Sequence, residues 1–239
     1  MIKTEENIII NEDLKKLYKT HTKEYLRMWS NHFYKKSGCQ CRLNEFGIID
    51  PEKFDAEKRI LVIGKETRNW DYSYEKTFRE WLYYLSSPSA DLKGKDGTKY
   101  PRMWYNIGKW AKLICNPELQ IKDNFKNLSN EKKDALEGLS YIAFTNINKV
   151  NGGSSSGESY RNLSEDSLAI SLIIQEIELL KPNYIILCDK KFKEKLFDKQ
   201  YKDNTALKKC IENKRVYIMP HPAARKSNLK MLEELKSQL

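Results

Sequence analysis

Three side chains of complementary chemistry follow closely on short apolar runs in this sequence. Glu66 follows Arg59–Ile63, Asn146 follows Leu139–Thr145, and His221 follows Arg215–Met219 between Pro220 and Pro222. A carboxylate can steady a developing cation and position water. An amide offers donor and acceptor together, and an imidazole can donate to a departing group. A fourth run, Asn183–Cys188, leads into Asp189-Lys190-Lys191. The inventory suits several chemistries, and spacing alone selects none.

Positioning these groups falls to the four runs. Each is nearly continuously apolar rather than alternating, the pattern of strands buried on both faces of a parallel sheet. Helical stripes lie between them: Phe78, Trp81, Leu82 and Leu85, then Met103, Ile107, Trp110, Ala111 and Ile114. A third helix is expected from about Ser164, its N-cap, to Leu180, closed by Pro182, and a last one from Ser227. Strand–helix alternation predicts an α/β fold, a three-layer sandwich around a four-stranded parallel sheet, with ligands beyond the strands' carboxyl ends. Leu14, Tyr18, Tyr25, Met28, Trp29 and Phe33 have near-helical spacing. Residues 1–50 therefore read as a helical extension, and 51–239 as the α/β domain. Ser86–Lys99 and Asn151–Glu158 have loop composition, the second almost pure Asn, Gly and Ser.

With 239 residues, 40% hydrophobic and 11% aromatic, the chain can bury a sizeable core and is unlike a disordered one. Its apolar runs of about five residues fall far short of the roughly 18 that span a bilayer. No membrane partner is expected. The start shows no secretory pattern, and the five cysteines no disulfide framework. A reducing cytoplasm is the expected home. His21, His32, Cys39 and Cys41 match no usual metal spacing, so neither metal nor cofactor is expected. The net charge of +10 favours a polyanionic partner, with nucleic acid first.

Taken in order, the segments after the runs resemble the uracil-DNA glycosylase superfamily. Its first signature loop is matched by Val62-Ile63-Gly64-Lys65-Glu66-Thr67-Arg68, and its Pro-Pro-Ser-Leu-x-Asn-Ile element by Tyr100–Ile107. The base-reading Asn after the next strand is matched by Phe144-Thr145-Asn146, and the His-Pro-Ser element by His221-Pro222-Ala223. The likeness spans roughly 58–239. The chain departs from it at Lys65, where the family has Gln or Glu, at Thr67 for Pro, at Arg68 where one branch has Tyr, and at Ala223 for Ser.

The resemblance implies a DNA glycosylase that removes uracil or a related deaminated base. Glu66 would then stabilise the sugar cation and His221 the leaving base, with Gly64, Lys65 and Asn146 around the base. Phe78 or Trp81 would supply an aromatic platform, although their helical spacing equally predicts core packing. Arg68, Lys149, Arg225 and Lys226 would contact DNA, Arg225 also as the wedge filling the gap left by a flipped base. Two other readings stay open: a catalytically silent nucleic-acid-binding protein of the same fold, and an enzyme acting on a nucleotide-like small molecule.

Overall fold

A computed structural model describes residues 2–32, 43–55, 57–68, 77–87, 102–119, 121, 135–152, 163–197, 204–222 and 227–239. Its elements are α1 (Ile2–His32), β1 (Gly47–Ile48), β2 (Ile60–Arg68), α2 (Phe78–Ser86), α3 (Arg102–Cys115), a single 3-10 turn (Gly138–Tyr141), β3 (Ile142–Gly152), α4 (Ser167–Leu180), β4 (Tyr184–Leu187), α5 (Lys190–Leu196), α6 (Thr205–Glu212), β5 (Val216–Ile218) and α7 (Asn228–Lys236). The chain is an α/β protein with one mixed five-stranded sheet in the order β1-β3-β2-β4-β5.

The sheet differs from the expected four parallel strands in two ways. β1 adds an antiparallel edge, Gly47 opposite Phe144 and Ile48 opposite Ala143, beside the parallel pairs β2/β3, β2/β4 and β4/β5. Two residues, one a glycine at φ 140°, leave no periodicity to read. The second difference is length. β2 and β3 stay paired through the polar residues that follow the apolar runs, so that Gly64 lies beside Asn146 and Glu66 beside Asn148, with a bulge before Thr67. Backbone pairing needs no apolar side chains once the outer edge is covered.

That cover is α1. Its buried face carries Asn7, Asn11, Leu14, Tyr18, Tyr25 and Met28. Asn11 acts as a substitute strand for β1: its Nδ2 donates to Ile48 O at 3.0 Å and its Oδ1 accepts from Ile48 N at 2.9 Å. Further along, the Tyr25 hydroxyl donates to Ile147 O at 3.1 Å and accepts from Lys149 N at 2.9 Å. The Asn44 N–H donates to Lys149 O at 2.7 Å. Edge groups that would otherwise be buried unpaired are thereby satisfied. The apolar residues of this helix belong to the same core cluster as the strands.

Phe144 packs on Trp104 of α3, ring centroids 5.1 Å apart, whereas Thr145 donates to Glu176 of α4 at 2.8 Å. Successive strand residues point to opposite faces, so α3 and α4 cover opposite sides of the sheet. α2 begins with a reciprocal cap, Glu80 N to Thr77 Oγ1 at 3.2 Å and Thr77 N to Glu80 Oε2 at 2.7 Å. The cap of α4 is Asp166 rather than the expected Ser164. Its Oδ1 accepts from Leu168 N at 2.9 Å, while Ser164 is buried. No helix among the described residues is long and apolar enough to cross a membrane.

Candidate functional site

In the sheet, β2 leads to β3 on one side of it, whereas β4 leads to β5 on the other. Between the carboxyl ends of β2 and β4 the connections diverge and leave a crevice, the usual ligand position of open α/β sheets. A cavity of about 600 Å³ opens there, walled by Lys65, Asp189, Lys191, Lys195, His221 and Glu234 among others. Its wall carries an ion pair: Lys65 Nζ lies 3.4 Å from Asp189 Oδ2. The other carboxylate oxygen of Asp189 accepts from Lys191 N at 2.9 Å and caps α5. Asp189 is thus fixed at both oxygens and holds a lysine ammonium at the cavity wall. His221 reaches the same wall from the turn after β5.

That turn is anchored from α3. Asn106, buried, donates from Nδ2 to Pro222 O at 2.6 Å across 116 residues of chain. On the neighbouring strands, Asn146 is buried with its side chain over Gly64. A Cβ at Gly64 would lie 2.2 Å from Asn146 Oδ1, so only glycine fits below that amide. Segments far apart in sequence therefore meet in pairs, Gly64 with Asn146 and Asn106 with Pro222.

Phe78 and Trp81 go to the aromatic cluster on the α3 side. Phe78 is buried against Phe46, Phe144, Trp81 and Trp104, with centroid separations of 5.6–6.0 Å, and fills core. Trp81, half-buried, stands edge-on to Trp104 at the margin of the cluster.

Lys149 corrects the expectation of a DNA contact. Its side chain is 0% exposed and pairs with Glu176, also 0% exposed, Nζ to Oε1 2.5 Å. Lys149 Nζ also donates to Thr145 Oγ1 at 2.6 Å, and lies over the rings of Tyr18 and Phe46. Burial lowers the Lys149 pKa against the opposing pull of Glu176. It raises that of the Tyr18 phenol well above its usual value, with help from the same carboxylate. A side chain sealed in this way cannot reach a phosphate.

Of Glu66 and Arg68 only the backbone is described, in β2; Arg225, Lys226 and residues 153–158 lie outside the described residues. Among the described residues no group of three or more His, Cys, Asp and Glu side chains could hold a metal ion. Asp189 and Asn106 gained no role from sequence. Asp189 was marked only by its place directly after a strand, and Asn106 only by its place in a motif. No family model, no curated protein and no solved structure matches the chain.

Proposed function

We propose that this chain is a uracil-DNA glycosylase-like protein, a three-layer sandwich with an N-terminal helical extension, that hydrolyses the N-glycosidic bond of uracil or a related deaminated base in DNA. One observation carries the reading. The four separated elements of the resemblance draw together at one end of the sheet, Gly64 under Asn146 and Asn106 on Pro222, with His221 at the cavity wall. The buried cysteines Cys188 and Cys210 are free thiols, as suits a reducing cytoplasm.

In the reaction, the bond between C1′ and the base nitrogen breaks and its electron pair leaves with the base. Water adds its oxygen to C1′ and loses a proton, and the base gains one. Glu66 stabilises the cationic sugar and His221 the departing base, while Asn146 bonds the edge of the base. The test is incubation with single- and double-stranded oligonucleotides carrying uracil, hypoxanthine or xanthine, followed by alkaline cleavage of abasic sites. Cleavage of one of these is expected, with Glu66→Gln and His221→Ala each lowering the rate by about 10²–10³-fold. No cleavage of any substrate would overturn the reading. The cavity favours a second one, an enzyme on a nucleotide-like small molecule, since about 600 Å³ is the size of a small-ligand site.

A further inference from the structure

The cavity wall holds four lysines, Lys65, Lys190, Lys191 and Lys195, beside three carboxylates, Glu165, Asp189 and Glu234. Asp189 is engaged at both oxygens, by Lys65 and by the Lys191 N–H. Lys191 and Lys195 stand four residues apart on α5, and so share one face of that helix. Like charges at this spacing destabilise a helix, and α5 is crowded further by Lys190 and Lys193. Lys193 belongs elsewhere, with its ammonium 5.6 Å from the centre of the Phe197 ring. The remaining lysines face a concave surface at the crevice where the strand order reverses.

We infer that this cavity is a phosphate-binding site, anchored on the Lys65 ammonium that Asp189 holds in place and walled by Lys191 and Lys195. Phosphate is the ligand class that answers this arrangement. It carries a permanent negative charge, accepts from several ammonium donors at once, and relieves the repulsion between Lys191 and Lys195. Lys65 stands where the resembling family has Gln or Glu, so the resemblance itself does not supply this cation. The inference deepens the nucleotide reading by naming the group that is held, but it does not depend on bond cleavage. The phosphate can come from a DNA strand or from a free nucleotide.

The probe is inorganic phosphate, titrated into the full chain and followed by amide NMR shifts and thermal unfolding. Shifts centred on Lys65, Asp189 and His221 are expected, with a rise in Tm. Lys65→Met and the double variant Lys191→Ala/Lys195→Ala should each weaken phosphate binding by about tenfold or more, the range of a charge-assisted contact. Lys65→Arg, which keeps the charge, should stay within a few-fold of wild type and so controls for folding. Deoxyuridine 5′-monophosphate binding tighter than deoxyuridine marks a free nucleotide as the source. An oligonucleotide that displaces phosphate from the cavity more tightly than either marks the strand, and either result supports the site. Absence of shifts around the cavity, or unchanged affinity in Lys65→Met, would overturn it. If uracil DNA is not cleaved while phosphate binding is lost in Lys65→Met, the glycosylase reading fails and the phosphate site stands.

Discussion

Lys65 and Lys149 make a controlled comparison. They lie on adjacent strands just past the apolar runs, and on the same face of the sheet: Lys65 is two residues beyond Ile63, the partner of Thr145, to which Lys149 bonds. Each is paired with a carboxylate. The Lys65–Asp189 pair is 27% and 9% exposed and 3.4 Å apart, whereas Lys149 and Glu176 are both fully buried and 2.5 Å apart. What separates them is cover. α4 brings Glu176, and α1 brings Tyr18 and Tyr25, over β3, while Lys65 opens on the crevice between β2 and β4. A pair whose lysine still meets water can exchange a partner for a ligand. A buried one is bound to its neighbours, because losing a partner strands a charge in a medium of low dielectric.

The largest expected effect comes from breaking the buried pair. Lys149→Met or Glu176→Gln alone should destabilise the protein by about 3–5 kcal/mol in urea unfolding. The apolar double variant Lys149→Met/Glu176→Leu should recover most of that loss. Equal losses in single and double variants would show that packing rather than charge makes the difference. Next comes the cover itself. Tyr25→Phe keeps the ring but removes the hydroxyl shared by Ile147 O and Lys149 N. The expected loss is about 1–3 kcal/mol, since two buried backbone groups go unpaired. A change near zero would mean that α1 is not what seals β3.

A third measurement sharpens the contrast beneath Lys65. Burial pushes the Cys188 thiol up to about 12, although the nearby Lys65 charge pulls it down. A thiol raised in the folded state gives stability that is fully present below its unfolded pKa of about 9 and is lost as pH rises through about 12. Between these values each such thiol should remove about 1.4 kcal/mol per pH unit. The slope of stability against pH should be shallower in Cys188→Ala than in wild type, and equal slopes would show that water reaches the thiol. The smallest effect belongs to the rim pair. Lys65→Met should change stability by about 1 kcal/mol or less, as for other partly exposed ion pairs. A loss as large as that of Glu176→Gln would remove the distinction between the two regions.

Much of the framework was readable along the chain. The apolar runs at 59–63, 139–145, 183–188 and 215–219 each contain strand residues, because a strand covered on both faces can keep polar residues only at its ends. The stripe from Ile107 to Ile114 is buried as its helical period requires. Sequence places the cap of α4 two residues early because Ser164, Glu165 and Asp166 all suit a helix start. Asp166, in extended geometry at φ −73° and ψ 131°, makes the capping bond to Leu168 N. Side-chain pattern alone ends each strand where polarity begins. Gly64–Arg68 and Asn146–Gly152 pair regardless, since the ladder is made by backbone groups, and on the outer edge of β3 Tyr25 of α1 and Asn44 satisfy Ile147 and Lys149.

By itself the sequence determined the alternation of elements, the excess of positive charge, and the chemical types delivered to the carboxyl ends of the strands. These are local properties, set by side-chain period and by residue identity. Only the tertiary structure decided which of those groups meet water. Lys149 looked as available as Lys65 until Glu176, 27 positions later, and Tyr18, far earlier, closed over it. Asn106 acquired its task only because α3 passes beside Pro222. Desolvation depends on what packs over a residue, and residues remote along the chain supply that cover.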